Sequence, residues 1–368
     1  MPHKEPLFHI VKRGHLPWYR AAAIRILSVI LALAFCALLT VLLTGEDPLD
    51  VILTVIGGAV GSKRKVWTTL QNTALLLCAS LAVTPAFRMR FWNVGGEGQI
   101  LMGSLATAAC MLKLGDLLPA AVLFPVMVLA SVLAGALWAF IPAVFKATWN
   151  TNETLSTLML NYIATQLVAY YVVLWENPKG SGTVGVINSD TNAGWFPSLL
   201  GQKYLLNILI VLAVLVFLTA YLRTTKHGYE LSVVGESERT ARYLGIKVTK
   251  VILRTAALSG ALCGLTGLLL VAGTNHTITT SLAAGRGFTA VMVSWMSRFD
   301  PAVMVLISFF LTFLERGSGE IATVLGLNTS FSDILTGIII FFLIGSEFFV
   351  NYRLIRTDRT KEKEASHV

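Results

Sequence analysis

From Ala21 to Thr44 the chain carries a single charged side chain, Arg25, in a run long enough to cross a bilayer. A crossing helix needs about 20 predominantly apolar residues. Comparable runs recur as far as residue 350, and a chain built this way folds with lipid as its solvent. Composition agrees: 55% of the 368 residues are hydrophobic and only 13% charged, with a mean hydropathy of +0.70. A soluble globular protein has about twice that share of charge.

The apolar runs predict an all-α, polytopic membrane protein with about ten spans, near residues 21–44, 66–87, 97–114, 118–145, 153–175, 204–222, 252–273, 286–298, 301–316 and 331–350. The third, eighth and ninth are short or interrupted, so eight or nine crossings stay open. Residues 51–60 are apolar but too few to span, and are expected to lie at the membrane surface or re-enter it. The first run follows Lys12, Arg13 and Arg20 as a signal peptide would. It is far longer than a cleavable core and has no Ala-x-Ala site after it, so it reads as an uncleaved anchor.

The formal net charge of +9 raises nucleic acid or anionic lipid as partners, and its position decides between them. Placing the N-terminus in the cytoplasm puts most of the 29 Lys and Arg inside, as the positive-inside rule requires. Among these are Lys4, Arg88, Arg90, Lys146, Arg298 and the basic residues of 223–254. The exception is Lys63-Arg64-Lys65, expected to form a solvated turn outside. The resulting division is a cytoplasmic segment (1–20), a transmembrane domain (21–350) and a cytoplasmic tail (351–368). The domain includes an external loop (176–203), rich in Gly, Ser, Asn and Pro, and a cytoplasmic segment (223–254).

Several motifs fail. Gly57 to Lys63 looks like a phosphate loop, but serine stands where GxxxxGK[ST] needs the glycine before lysine. Gly285-Arg286-Gly287-Phe288-Thr289-Ala290 matches GxGxxA yet follows no strand. The six histidines show no pairing at helical spacing, so no zinc site is expected. Cys36, Cys78, Cys110 and Cys263 all lie in apolar runs and read as small core residues. Without a visible nucleophile, base and orienting group, an enzyme is unsupported.

Two stretches carry polar groups into apolar surroundings. Phe91-Trp92-Asn93-Val94-Gly95-Gly96-Glu97-Gly98-Gln99 holds three glycines and three strongly polar side chains at the start of a span. A charge at bilayer depth costs at least about 2.5–3.5 kcal/mol, so Glu97 is expected to face protein or water. The alternative is a cytoplasmic loop with the helix starting after Gln99. In the span after Glu153, Thr154, Thr157, Asn161 and Thr165 fall on one helical face. Interhelical hydrogen bonding and the wall of a pathway both turn that face inward. Gly260, Gly264 and Gly267 recur at helical spacing and predict a close helix crossing. Asn275, His276 and Arg286 are expected in a solvated loop at the external membrane face.

NVGGEGQ followed by a Gly/Ala-rich helix resembles the NIGxEGQ motif of ABC importer permeases of the ribose and nucleoside type. Thr151-Asn152-Glu153 leading to Leu158-Met159-Leu160-Asn161-Tyr162-Ile163 is similar to the same family's TNEV…LMLNYIA. The likeness continues through Gly228-Tyr229-Glu230-Leu231 and Gly245-Ile246 over about nine tenths of the chain. Val94, Gly96 and Leu155 depart from the more usual residues. The resemblance implies an ABC importer permease fold in a bacterial-type plasma membrane. The partners it implies are ABC ATPase subunits, a second permease (paralogue or itself) and an extracytoplasmic binding protein. ATP would be bound by the partner subunits, with no cofactor on this chain.

The form of both motifs looks closer to the nucleoside branch, with monosaccharides as the alternative. A self-sufficient secondary transporter is the rival from another class, and the basic 223–254 segment speaks against it. Asn93, Glu97, Gln99, Thr157 and Asn161 are the implied path candidates. Ser237 to Leu244 reads as a short helix closed by Gly245, with Ala241 and Leu244 on one face. By resemblance it is the coupling helix for the ATPase, with Glu236, Ser237, Ala241, Arg242, Leu244 and Gly245 as its residues. A basic loop that only enforces topology would have the same spacing.

Overall fold

The computed structural model describes residues 8–14, 16–45 and 47–356. The first seven residues with Lys4 among them, and residues 357–368 of the expected tail, lie outside the described residues.

The elements are β1 (Phe8–Lys12), α1 (Trp18–Thr44), α2 (Pro48–Val60), α3 (Lys63–Arg88), α4 (Gly96–Leu114), α5 (Ala120–Trp149), α6 (Glu153–Trp175), α7 (Leu205–Thr224), α8 (Lys226–Glu236), α9 (Glu238–Tyr243), α10 (Val248–Leu270), a π-helical turn (Val271–Asn275), α11 (Arg286–Met296), α12 (Pro301–Val324), α13 (Thr329–Asn351) and β2 (Tyr352–Arg356). Each expected span falls on a helix, yet among the described residues eight helices are long and apolar enough to cross a membrane. The other two are α4, whose first turn is polar, and α11, whose 11 residues rise only about 16 Å. That is roughly half the hydrocarbon thickness, so the expected eighth span is a half-length helix.

The chain divides into two compact units, residues 1–65 with 313–368, and residues 66–312. In the first, α1 and α13 pack antiparallel, joined by the Arg25–Glu347 ion pair and by Cys36 Sγ donating to Leu335 O at 3.8 Å. β1 and β2 form a two-stranded antiparallel sheet, Phe8 opposite Arg356 and Lys12 opposite Tyr352, which an all-helical reading did not include. Both features bring the start of α1 and the end of α13 to one end of this unit, as termini on the same side of a membrane require. α2 begins at Asp47, whose side chain accepts the Leu49 N–H, with Pro48 at its first position. It packs on the C-terminal half of α12, where a Cβ on Gly317 would stand 2.6 Å from Val55 O. Lys63 to Lys65 are the first turn of α3 rather than a free turn, and Lys65 pairs with Glu320 at 2.8 Å.

In the second unit α10 lies at the centre. Its glycines work as their spacing predicts: a Cβ on Gly260 would meet Gly135 O of α5 at 2.3 Å, and one on Gly264 would meet Ser131 O at 2.1 Å. On the other side Gly103 of α4 meets Gly264, and Ser104 Oγ donates to Gly267 O at 3.3 Å. Apolar surface gains little from leaving lipid, so such backbone proximity is the principal source of helix association. Of the four cysteines, Cys36, Cys78 and Cys263 are buried.

Candidate functional site

The broken segment between α3 and α4 is built from its own polar residues. α3 ends at Arg88, and the chain turns through Arg90 before α4 starts at Gly96. The backbone groups freed by this break lie among helices, where water cannot satisfy them. Asn93 supplies the first set of partners: its Oδ1 accepts from Gly95 N at 3.1 Å and Gln99 Nε2 at 2.9 Å. Its Nδ2 reaches Gln99 Oε1 at 3.2 Å and Ser259 Oγ of α10 at 3.1 Å. Asn161 of α6 supplies the second, accepting Gly98 N–H at 2.9 Å and donating to Val94 O at 3.0 Å. One amide thereby holds both sides of the break.

Glu97 closes the third side. Its two carboxylate oxygens accept the N–H groups of Gly285 and Gly287, each at 2.8 Å, at the N-terminus of α11. A carboxylate is favourable there because the first N–H groups of a helix have no internal partner and carry the positive end of the dipole. Two features let α11 come this close. Gly285 is left-handed at φ +72°, and a Cβ on Gly287 would stand 2.2 Å from Glu97 N. The discarded GxGxxA stretch is therefore a docking turn for Glu97. At the other end of α11, Trp295 stacks on Trp92 with centroids 5.3 Å apart and planes 20° from parallel, flanked by Phe87. The half-length helix is gripped at both ends by the segment 92–97.

Of the five path candidates, Asn93, Gln99, Thr157 and Asn161 are buried, and Glu97 is part-buried. Asn93, Gln99 and Asn161 meet around the break, whereas the Thr157 hydroxyl turns back onto Glu153 O at 2.7 Å. The side-chain amides of Asn93, Gln99 and Asn161 are thus engaged with the break and with one another. The expected inward face of α6 is carried by Thr157, Asn161, Ala164 and Val168, with Thr154 and Thr165 at its edges. Glu153 pairs with Lys146 of α5 at 3.0 Å and stands at the N-terminus of α6.

The coupling candidates form a defined corner. Ser237 caps α9, its Oγ accepting Thr240 N–H at 3.3 Å. The helix ends with Gly245 N–H on Arg242 O and Ile246 N–H on Ala241 O, both 3.0 Å, the two bonds of a Schellman motif. Gly245 has the φ of +76° that this closure demands. Ala241 is fully buried while Leu244 is 59% and Tyr243 93% exposed, so Ala241 does not share an accessible face with Leu244. The motif turns the chain after Tyr243, and the three-residue spacing stops describing a helical face there. Arg242 pairs with Glu238 at 3.5 Å across one exposed turn, and Glu236 ends α8.

His227 ties this corner to the helices above it. Its Nδ1 lies 3.0 Å from the Tyr221 hydroxyl of α7 and its Nε2 3.2 Å from the Thr255 hydroxyl of α10. Burial, chiefly, holds its pKa below the usual histidine range. A second unforeseen cluster surrounds the π-helical turn. His276, expected in solvent, is buried with its ring stacked on Trp195 at 3.8 Å. The 176–203 loop packs there through Ile187 N–H on His276 O and Phe196 N–H on Ala272 O. Asn275 is exposed as expected, and Arg286 reaches Asn72 Oδ1 at 3.2 Å. Gln71 and Asn207 both donate to Thr274 Oγ1. Among the described residues no three His, Cys, Asp or Glu side chains gather to hold a metal ion.

Comparison with known proteins decides the family. Residues 66–344 match the family described as branched-chain amino acid transport system / permease component. The chain belongs to this permease family. It is 30% identical to a glucose ABC transporter permease protein of Haloferax volcanii, over 93% of this chain and 92% of the relative. A guanosine ABC transporter permease protein of Bacillus subtilis is 28% identical, with 87% and 92% covered. A nucleoside ABC transporter permease protein of Lactococcus lactis is 25% identical, with 93% and 96% covered. The permease is thus a multi-pass plasma-membrane protein that conducts a small solute and is not itself an enzyme. ABC permeases of this kind work with ATP-hydrolysing subunits and a substrate-binding protein, which sets the class of its partners.

Proposed function

We propose that this permease carries nucleosides inward across the membrane, paired with a second permease and driven by ATP hydrolysed on separate subunits. The observation that carries the substrate is the likeness to the guanosine and nucleoside permeases over most of both chains. The polar elements NVGGEGQ and NETLSTLMLNYIA resemble the same branch. A monosaccharide is the second reading, favoured by the glucose permease relative.

In this reading the break held by Asn93, Gln99 and Asn161 is the movable part of the pathway. Irregular backbone at membrane depth is tolerated where it is buried in protein or lines a cavity. Glu97 and the Trp92–Trp295 stack make α11 move with it. Thr157 sits under Gly95, where a Cβ would meet its side chain at 3.1 Å. ATP binding on the partners biases the equilibrium between inward-open and outward-open states. The contact is made by the exposed side chains Tyr243 and Leu244, with Glu236, Ser237, Arg242 and Gly245 shaping the corner and Ala241 buried beneath it. The N-terminus lies inside in this reading, and the 176–203 loop receives solute from the binding protein outside.

The test is competition. Cells expressing the permease with its genomic neighbours take up labelled guanosine, and unlabelled nucleosides or hexoses are added in excess. Displacement by nucleosides alone is the expected outcome; displacement by hexoses alone replaces the substrate assignment with the monosaccharide reading.

A further inference from the structure

Where α7 ends and α10 begins, a cavity of about 510 Å³ opens, lined by Lys226, Tyr229, Glu230, Lys247, Lys250 and Arg254, with Leu244 to Ile246 on its rim. Four cations face one carboxylate. Glu230 is engaged by Lys226 at 3.7 Å, and among the described residues no carboxylate lies within ion-pair range of Lys247, Lys250 or Arg254. These three sit at i, i+3 and i+7 along the start of α10, one above another on the same face. Like charges so placed repel. They also stand at the positive end of a helix dipole, where the first turn of α10 has neither an acidic residue nor a side-chain cap. Among the described residues Glu230 is the one carboxylate in the lining, and an anion in the cavity would offset both the repulsion and the dipole.

We propose that this cavity binds a phosphate group, supplied by the headgroup of an anionic phospholipid. The position favours the lipid source. α7 and α10 are both long and apolar enough to cross the membrane, so the cavity, which α8 and the start of α10 form just after α7 ends, lies at headgroup depth, where Lys and Arg clusters beside a transmembrane helix recognise such headgroups. Tyr229, 62% exposed, lines the cavity, and Val216 and Phe217 on α7 stay exposed for acyl chains. A protein partner would instead meet the protruding Tyr243, which is 93% exposed and outside the lining. The site is independent of which solute the permease carries.

The full-length permease, purified in detergent, is exchanged into nanodiscs of phosphatidylcholine with or without phosphatidylglycerol, and retained lipid is counted by native mass spectrometry. The Lys247→Gln/Lys250→Gln/Arg254→Gln variant changes only exposed side chains. With about fivefold in affinity per juxtamembrane cation, it is expected to hold phosphatidylglycerol about a hundredfold more weakly. Glu230→Gln removes the opposing charge and should hold it about fivefold more tightly, a gain that a folding defect could not produce. Displacement of the lipid by millimolar inorganic phosphate would keep the phosphate site while extending its source to soluble anions. Equal phosphatidylglycerol retention by wild type and both variants, or binding of phosphatidylcholine just as tightly, would overturn the proposal.

Discussion

Glu97→Gln isolates the grip on α11. The native carboxylate accepts two backbone N–H groups at 2.8 Å. Hydrogen bonds to a charged group contribute about 1.5–3 kcal/mol each, and neutral ones about 0.5–1.5. Glutamine keeps one oxygen as a neutral acceptor and points an NH₂ at the other N–H, which leaves that donor without a partner. The favourable interaction of the charge with the helix end is lost as well. The net loss is about 2–4 kcal/mol, or roughly 5–12 °C in the midpoint of thermal unfolding for a unit of this size. The buried cysteines provide the assay, because a thiol-reactive fluorogenic dye reaches Cys78 and Cys263 only as the helices separate. Uptake should fall further than the melting shift accounts for, since α11 is no longer fastened to segment 92–97. Glu97→Asp, one methylene shorter, should fall between the two. A Glu97→Gln protein that melts within about 1 °C of wild type and transports normally would refute the grip.

Leu244→Asp should uncouple ATP hydrolysis from uptake with little change in melting, because Leu244 is exposed; Ala241→Asp should lower expression instead, because its site is filled. Normal uptake by Leu244→Asp would remove α9 from the coupling role. A cysteine introduced at exposed Ser181 should react with a membrane-impermeant reagent in intact cells, and protection there would invert the topology. Because His227 is held below its ordinary pKa, folding is favoured while the unfolded chain is also neutral. Below about pH 6.5 the unfolded state takes up the proton first, so stability falls with pH. His227→Gln should flatten that slope, and a slope unchanged in the variant would assign it to other groups.

Much of the site was legible in part. The polar intrusion 91–99 and the stripe on α6 stood out because polar groups in apolar runs need a reason to be there. Their partners did not stand out. Asn161 bonds Gly98 63 residues away, and Glu97 bonds Gly285 188 residues away. No periodicity links such positions. The GxGxxA stretch carried the only local signal for the α11 turn, and it pointed toward a nucleotide fingerprint. Ala241 and His276 were misplaced for a related reason. Helical spacing gives a residue's direction from its own axis, while burial depends on what the rest of the chain lays over it. The α9 corner hides one, and the 176–203 loop covers the other.

Sequence alone determined that the chain lies in a membrane and where its long apolar helices run. Apolar length and the requirement that backbone bonds be satisfied within each span act locally, residue after residue. It also set the close crossings of α10, because a glycine's missing side chain acts on whichever helix arrives. Only the tertiary structure decided that Asn93, Gln99 and Asn161 complete one another's hydrogen bonds and that a half-length helix hangs from Glu97. Those are pairings between distant segments, and their free energy appears only when the packed helices exclude water and leave each polar group to the partner that packing supplies.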